Sequence, residues 1–329
     1  MHLHPELLAA IEQQTALFDR GQLARAAAEL TDRYKLEVAT SRAISSDLHR
    51  AAYLAVRLPA TYAAAAHVFR ELHTRIPELA IESMLDLGSG PGTAFLAAKK
   101  AFPALRRATL LDADCGWQSF GRELCGGAAV ETTWVQQDLL AATDFAPHDL
   151  VVISYGLGEL PERAREPLLR RAWQSAQQAL LIVEPGTKPG FAVVRGAREF
   201  LLNTGANLAA PCPHHQECPM ATGGGISGRR GREDWCHFAQ RVERTSMHRL
   251  LKSGVLGHED EKFCYVAATP GSLRVPAARI VRHPQRHSGH VQLMLCTRQG
   301  LLRTIVTKSQ KSIYKEARKA GWGDAWNLS

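Results

Sequence analysis

The segment Met84-Leu-Asp-Leu-Gly-Ser-Gly-Pro-Gly-Thr93 constrains this chain more than any other. An apolar strand runs into three alternate glycines and then directly into a helix-forming run, AFLAAKKAF (94–102). Gly88, Gly90 and Gly92 permit a tight turn and let a ligand approach the backbone closely. A strand, a glycine turn and a helix in that order form the first unit of an open parallel sheet. The texture continues downstream. Strands read at 82–87, 108–112, 132–136, 149–155 and 179–184, with helices at 94–102, 117–125 and 161–178. Apolar strands joined by helical crossovers require a sheet covered on both faces, so the fold class is α/β with a Rossmann-like sheet.

The loop is D-L-G-S-G-P-G rather than the G-x-G-x-x-G of dinucleotide folds, and Asp86 sits within the first strand's end. Asp112 closes the next strand twenty residues after Gly92, where an acid accepts both hydroxyls of a ribose. This arrangement resembles the class I S-adenosylmethionine (SAM)-dependent methyltransferase fold. The resemblance implies that Asp86, Gly88, Ser89, Gly90 and Gly92 surround the methionine end of SAM. It places Asp112 on the ribose, Asp138 near the adenine and Tyr155 beside the cofactor. SAM carries a sulfonium and no phosphate, so carboxylates suit it where a pyrophosphate would be repelled. The competing reading is an empty Rossmann-like domain. For catalysis the signal is thinner. Many base N-methyltransferases carry Asn/Asp-Pro-Pro-aromatic after the fourth strand, and Ser154-Tyr-Gly-Leu-Gly-Glu-Leu-Pro161 lacks it. No cysteine closely follows strand four or five to serve as a C5-methylation nucleophile. Tyr155 and Glu159 are the polar candidates nearest the transferred methyl. The alternative makes them a strand-end packing residue and a helix N-terminal acid.

Residues 1–77 read as a helical region, from LLAAIEQQTALF, LARAAAEL and AAYLAVRLPATYAAAAHVFREL, with a break near Leu58-Pro59. They read as a cap or docking layer without evident chemistry. Residues 78–204 form the SAM-binding domain, and residues 205–329 a basic region that completes the sheet and adds a small β/α part. That last region holds 19 Lys/Arg against 9 Asp/Glu, whereas the first 204 residues hold 21 against 23. So concentrated an excess points to a polyanion, most often nucleic acid. The contributors singled out are Arg229, Arg230, Arg232, Arg241, Arg244 and Arg249; the run 236–253 reads as a helix. No apolar run reaches membrane-spanning length, and Glu6, Glu12 and Asp19 near the start fit neither a secretory signal nor a transit peptide. The expected location is cytoplasmic, with no membrane partner.

Seven cysteines, an odd number in a long chain, argue against a disulfide framework. Cys212, Cys218, Cys236 and Cys296 are spaced C-x5-C-x17-C-x59-C, and the first two each precede a proline. Cys-Pro recurs at iron–sulfur ligands, and four thiolates suit a [4Fe–4S] cluster or a structural zinc. Zinc sites generally show a tighter pair, although His214, His215 or His237 could complete one. On spacing alone both metals stay open, and so do inert thiols. Cys115, Cys125 and Cys264 read as packing residues.

Taken together, AYLAVRLPATYAA (52–64), LDLGSGPGTA (85–94), PCPHHQECP (211–219), DWCHFAQRVERTSMHRLLK (234–252), EDEKFCYVA (259–267), GHVQLMLCTRQG (289–300) and WGD (322–324) resemble one family. It is the methyltransferase-like assembly factors of the mitochondrial ribosomal small subunit, with bacterial relatives. The resemblance implies a [4Fe–4S] cluster on Cys212, Cys218, Cys236 and Cys296, with Cys264 outside the ligand set. It also implies association with small-subunit ribosomal RNA or immature subunits. Two readings remain: an RNA methyltransferase, or a non-catalytic RNA-binding assembly factor with a structural metal site. A radical SAM enzyme is disfavoured because the compact C-x3-C-x2-C is absent.

Overall fold

A computed structural model describes residues 3–35, 44–125, 130–221, 234–252 and 256–327. Four helices come first: α1 (Pro5–Thr15), α2 (Arg20–Lys35), α3 (Asp47–Val56) and α4 (Leu58–Arg75). The expected break falls at Arg57, and Pro59 sits in the first turn of α4, where its missing N–H costs no helical bond. The alternating section follows as β1 (Ser83–Leu87), α5 (Thr93–Ala101), β2 (Arg107–Asp112), α6 (Gly116–Leu124), β3 (Glu131–Gln136), β4 (His148–Ser154), α7 (Glu162–Ser175), β5 (Ala176–Pro185) and α8 (Lys188–Asn203). Then come β6 (Asn207–Ala210), β7 (Phe238–Glu243), α9 (Ser246–Lys252) and β8 (His258–Thr269).

The first sheet runs β3-β2-β1-β4-β5-β8-β6. Strands β1 to β5 pair in parallel, while β8 runs antiparallel to both β5 and β6. This doubly wound sheet with a reversed penultimate strand is the methyltransferase-type Rossmann fold. Every residue of β1 is buried, because helices cover both faces. One face packs against α1–α6 around Phe69, Phe95 and Met84; the other packs against α7 and α8 around Leu168, Leu180 and Leu201.

The run 236–253 is not one helix. Phe238–Glu243 is a strand and only Ser246–Lys252 is helical. Phe238 and Val242 stand four apart, which satisfies helical spacing, but pairing with β8 decides the local structure. Phe238 lies opposite Phe263, and its ring also meets Tyr265 at 5.4 Å. Both β5 and β7 pair with Phe263, so they lie on opposite sides of β8; β6 and β7 therefore follow one another along one edge. The chain leaves that edge after Ala210 and returns at Phe238.

The second sheet is built from β9 (Ala278–Ile280), β10 (Gln285–Arg286), β11 (His290–Thr297), β12 (Gly300–Thr307) and β13 (Ala325–Trp326), with α10 (Lys311–Lys319) packed against it. Along β11, Val291, Leu293 and Leu295 face this small core, and the alternate positions, Cys296 among them, face away. Arg279, 1% exposed, docks the second sheet onto the first. Its Nε donates to the Pro211 carbonyl at 2.7 Å and its Nη1 to the Gly323 carbonyl at 2.7 Å and to Glu71 of α4. Among the described residues, no helix is long and apolar enough to cross a membrane.

Candidate cofactor pocket and thiol cluster

A cavity of about 1010 Å³ opens at the C-terminal ends of β1, β2 and β4. Open α/β sheets bind ligands at this place, because the strand-to-helix turns gather there. Gly88, Gly90 and Gly92 take φ of 76°, 52° and 79°, so the loop reverses in a conformation that favours glycine. A Cβ on Gly92 would stand 3.0 Å from Leu110.

Asp86 lies on the cavity lining at 1% exposure. Neither of its oxygens closes a hydrogen bond, and the hydroxyls of Ser89 and Thr93 beside it are likewise buried and unpartnered. Burial pushes the Asp86 carboxyl up to about 7; the nearby backbone N–H of Phe95 draws it back in part, and Asp112 pushes it further up. Asp112 accepts from the backbone N–H of Gly90 at 2.8 Å and of Asp114 at 2.9 Å. Its own carboxyl is also raised, mainly by burial. Asp138 sits exposed at the rim after β3 and accepts from the Leu140 N–H. The cavity thus brings together Asp86, Gly88, Ser89, Gly90, Asp112, Asp138, Tyr155 and Glu159; Gly92 shapes the loop from behind.

Tyr155 stands at the end of β4 with φ 59°, one of two non-glycine residues with positive φ among those described. Its hydroxyl donates to Glu261 of β8 at 3.0 Å, and Arg57 approaches the same carboxylate at 3.5 Å. Burial foremost, and then the Glu261 charge, push the phenol well above its usual range. The following loop is held from two sides. Glu184 accepts the Gly158 N–H at 3.0 Å, while Arg165 donates to the carbonyls of Leu160 and Gly158.

The helical layer contributes more than a cap. Ile44, Tyr53 and Thr61 line the cavity. Arg50 grips Asp114 with Nε at 3.1 Å and Nη2 at 2.7 Å, and Tyr53 meets Trp117 edge-on at 5.2 Å. Contacts between residues 64 apart in sequence leave no local pattern to find. A Cβ on Gly116 would fall 2.2 Å from the Arg50 guanidinium.

The chain's excursion between β6 and β7 carries Cys212 at its start and Cys236 at its end. Cys218 lies between them, and Cys296 faces away from the second sheet's core. Their thiols are electrostatic neighbours. Burial pushes the Cys236 thiol well above its usual range, and Cys212, Cys218, Cys264 and Cys296 add to the effect. Cys296 is raised to about 12 by burial, then by Cys212 and Cys218. Among the described residues, no group of three His, Cys, Asp or Glu side chains stands in a metal-holding arrangement. Of the three histidines considered, His214 meets a thiol, Cys296 Sγ at 3.5 Å from its Nε2. His215 accepts the Leu208 N–H, and His237 bonds the Trp235 carbonyl. Cys264 and Cys125 are buried as expected, but Cys115 is exposed, because it caps α6 on its solvent side.

Among the described residues, Arg241 and Arg244 are each held by a carboxylate. Antiparallel pairing sets Arg241 opposite Asp260, and the two close an ion pair at 2.8 Å. Arg244 pairs with Glu259 at 3.2 Å. Arg249 is exposed on α9, while Arg229, Arg230 and Arg232 lie outside the described residues.

A family model described as "Mitochondrial small ribosomal subunit Rsm22" matches residues 47–327. The human mitochondrial ribosome assembly protein METTL17 is 27% identical over 295 residues, covering 83% of this chain and 61% of its own. Rsm22-cox11 tandem protein 2, mitochondrial, of Schizosaccharomyces pombe is 27% identical over 327 residues, covering 84% of this chain and 43% of its own. The chain therefore spans less than two thirds of either relative. Among solved structures, the magnesium protoporphyrin IX methyltransferase of Synechocystis PCC 6803 is 12% identical and covers 64% of this chain and 84% of that one, with a TM-score of 0.40. Strand order, and not this likeness, carries the fold assignment. The cytoplasmic expectation is overturned: the matching family and both curated relatives are mitochondrial. Hydropathy reports what a chain can insert into, and it does not encode a compartment.

Proposed function

From the premise that this chain belongs to the mitochondrial small ribosomal subunit Rsm22 family, we propose that it binds SAM and acts on the small ribosomal subunit during assembly through its ribosomal RNA. The observation that carries the reading is the set of unpartnered polar atoms on Asp86, Ser89 and Thr93 at one end of the cavity. Buried polar atoms without partners are costly, and a buried carboxylate more so. The ammonium, carboxylate and sulfonium of SAM's methionine end supply a cation for Asp86 and partners for the two hydroxyls. Asp112, already oriented by two backbone N–H groups, takes the ribose. Trp117 and Leu139 wall the base side, with Asp138 at its edge.

Bound SAM supplies an electrophilic methyl. Tyr155 and Glu159, on the loop held by Glu184 and Arg165, are the polar groups that would face an acceptor there. A second reading, a SAM-binding assembly factor without methyl transfer, is favoured by one feature. The Tyr155 hydroxyl is already donated to Glu261, and its raised phenol makes it a poor base at neutral pH. Labelled SAM mixed with small-subunit RNA, naked subunits and precursor particles separates the two. Label in any of them, lost in Asp86→Ala, supports transfer; SAM binding without label in all three supports the second reading. A protein that binds no SAM removes both.

Four cysteines are the donor set of a thiolate-bound metal; among the described residues they do not stand in a metal-holding arrangement, so the donor set alone supports the reading. We place a [4Fe–4S] cluster on Cys212, Cys218, Cys236 and Cys296, with zinc as the alternative. Either would tie the excursion to the second sheet. Anaerobically purified protein should be brown with broad absorbance near roughly 400 nm. Colourless protein with one equivalent of zinc assigns the other metal.

A further inference from the structure

Helix α10 presents a face that its own fold does not explain. Residues 308–319 hold five Lys/Arg against one acid, Glu316. Ile313, Tyr314 and Ala317 turn toward the small core of the second sheet. Lys311, Lys315 and Lys319 recur every four residues on the opposite side, all exposed, with Arg318 exposed beside them. Among the described residues, none of these four cations pairs with a carboxylate. Like charges at i, i+4 destabilise a helix. A lysine at the first position also opposes the helix dipole, and no acid in the first turn offsets it. These repulsions weaken the helix unless a polyanion lies across it. The face is held firmly at both ends. Arg286 of β10 donates to the carbonyls of Arg318, at 2.9 Å, and Ala320, at 2.6 Å, which closes the end of α10 and adds a further exposed cation. Before the helix, the Lys308 N–H donates to the Gly289 carbonyl at 3.1 Å.

We propose that the lysine face of α10 is the surface on which this protein holds the phosphate backbone of duplex RNA. The inference deepens, and rests on, the reading that the chain acts through small-subunit ribosomal RNA. Lys311 to Lys319 spans about 12 Å at 1.5 Å per residue, a line of point charges that suits a run of phosphates. With lysines rather than arginine forks, it meets charge and not base edges. Tyr314 turns inward, so the outward face carries no aromatic ring on which the bases of a single strand could stack. The apolar side of the helix is taken up by the core, so none of it is left to enter a bilayer. An acidic protein segment would also meet the charge, but the basic excess of residues 205–329 extends well beyond one helix, as contact with a long polyanion requires.

The test uses the full chain. Wild type is compared with the triple variant Lys311→Gln/Lys315→Gln/Lys319→Gln, its charge-keeping counterpart Lys311→Arg/Lys315→Arg/Lys319→Arg, and Lys315→Gln alone. Each is titrated across salt concentration with small-subunit ribosomal RNA and with an RNA duplex of unrelated sequence. Poly-glutamate and anionic phospholipid vesicles are the parallel probes. The slope of log affinity against log salt should flatten by about 3 in the Gln triple and by about 1 in Lys315→Gln, equally on both RNAs, and the Arg triple should keep it. Removing like-charge repulsion should leave the Gln triple at least as stable as wild type in chemical denaturation, so that weaker binding is not unfolding. An unchanged slope in both Gln variants overturns the proposal, and so does a loss confined to poly-glutamate or to vesicles. A flattening on small-subunit RNA alone overturns it too, because phosphate contacts carry no sequence. A wild type that binds neither RNA removes the RNA reading itself, and this inference with it.

Discussion

Asp86→Asn tests whether the buried carboxyl is held ready for a cation. Its folded-state value of about 7 stands above the ordinary 3.8 because burial disfavours the charge. Between those values the folded chain keeps a proton that the unfolded chain has released. The ligand-free protein therefore loses stability as pH rises from about 4 to about 7, on the order of 4 kcal/mol at full ionisation. A cationic ligand reverses the sign, since it binds the ionised form. Apparent affinity for SAM should then be maximal above about pH 8, weaken about tenfold at pH 6 and about a hundredfold at pH 5, one decade per unit below the folded value. Isothermal titration across that range measures it. In Asp86→Asn the steep dependence should vanish, with binding weak throughout. Glu184 is also raised to about 7 but lies outside the cavity lining, so Glu184→Gln is the control and should keep the slope. A flat profile in the wild type, or a slope that survives in Asp86→Asn, refutes the reasoning.

Other consequences are as direct. Gly121→Ala puts a Cβ 2.0 Å from the Trp134 ring; such overpacking should cost about 1–3 kcal/mol, read as a lower midpoint in chemical denaturation. Gly190→Ala should cost more than Gly121→Ala in the same assay, because its Cβ meets the Pro185 carbonyl at 2.0 Å and a backbone oxygen cannot rotate aside. Arg279→Met strands Glu71 and two carbonyls; breaking a buried pair costs about 3–5 kcal/mol, and limited proteolysis should cut first between the two sheets. If small-subunit RNA is gripped through phosphates, log affinity should fall linearly with log salt, and a flat response removes that contact mode.

The parallel strands were legible because burial on both faces leaves unbroken apolar runs such as Leu150–Ile153 and Leu180–Val183. The glycine loop and Asp112 were legible because turn and acid lie within one βαβ unit. The strand at Phe238–Glu243 was not, since Phe238 and Val242 satisfy both periods and the deciding partner is twenty or so residues away on β8. Arg50 and Tyr53 act across 64 positions and carry no motif. The arginine excess was read correctly as a charge count, but antiparallel register assigned Arg241 a partner that composition cannot see.

Strand β8 touches both sites. Glu261 receives the Tyr155 hydroxyl, and three positions on, the Cys264 thiol donates to the Cys236 carbonyl at 3.1 Å. An odd separation sends their side chains to opposite faces of the sheet. Adding or deleting one residue between them would turn one of the pair around, whatever else was preserved. The spacing from Glu261 to Cys264 thus works as a fixed ruler between the cavity face and the thiol face of the sheet, and a change of one residue along it would disconnect one from the other.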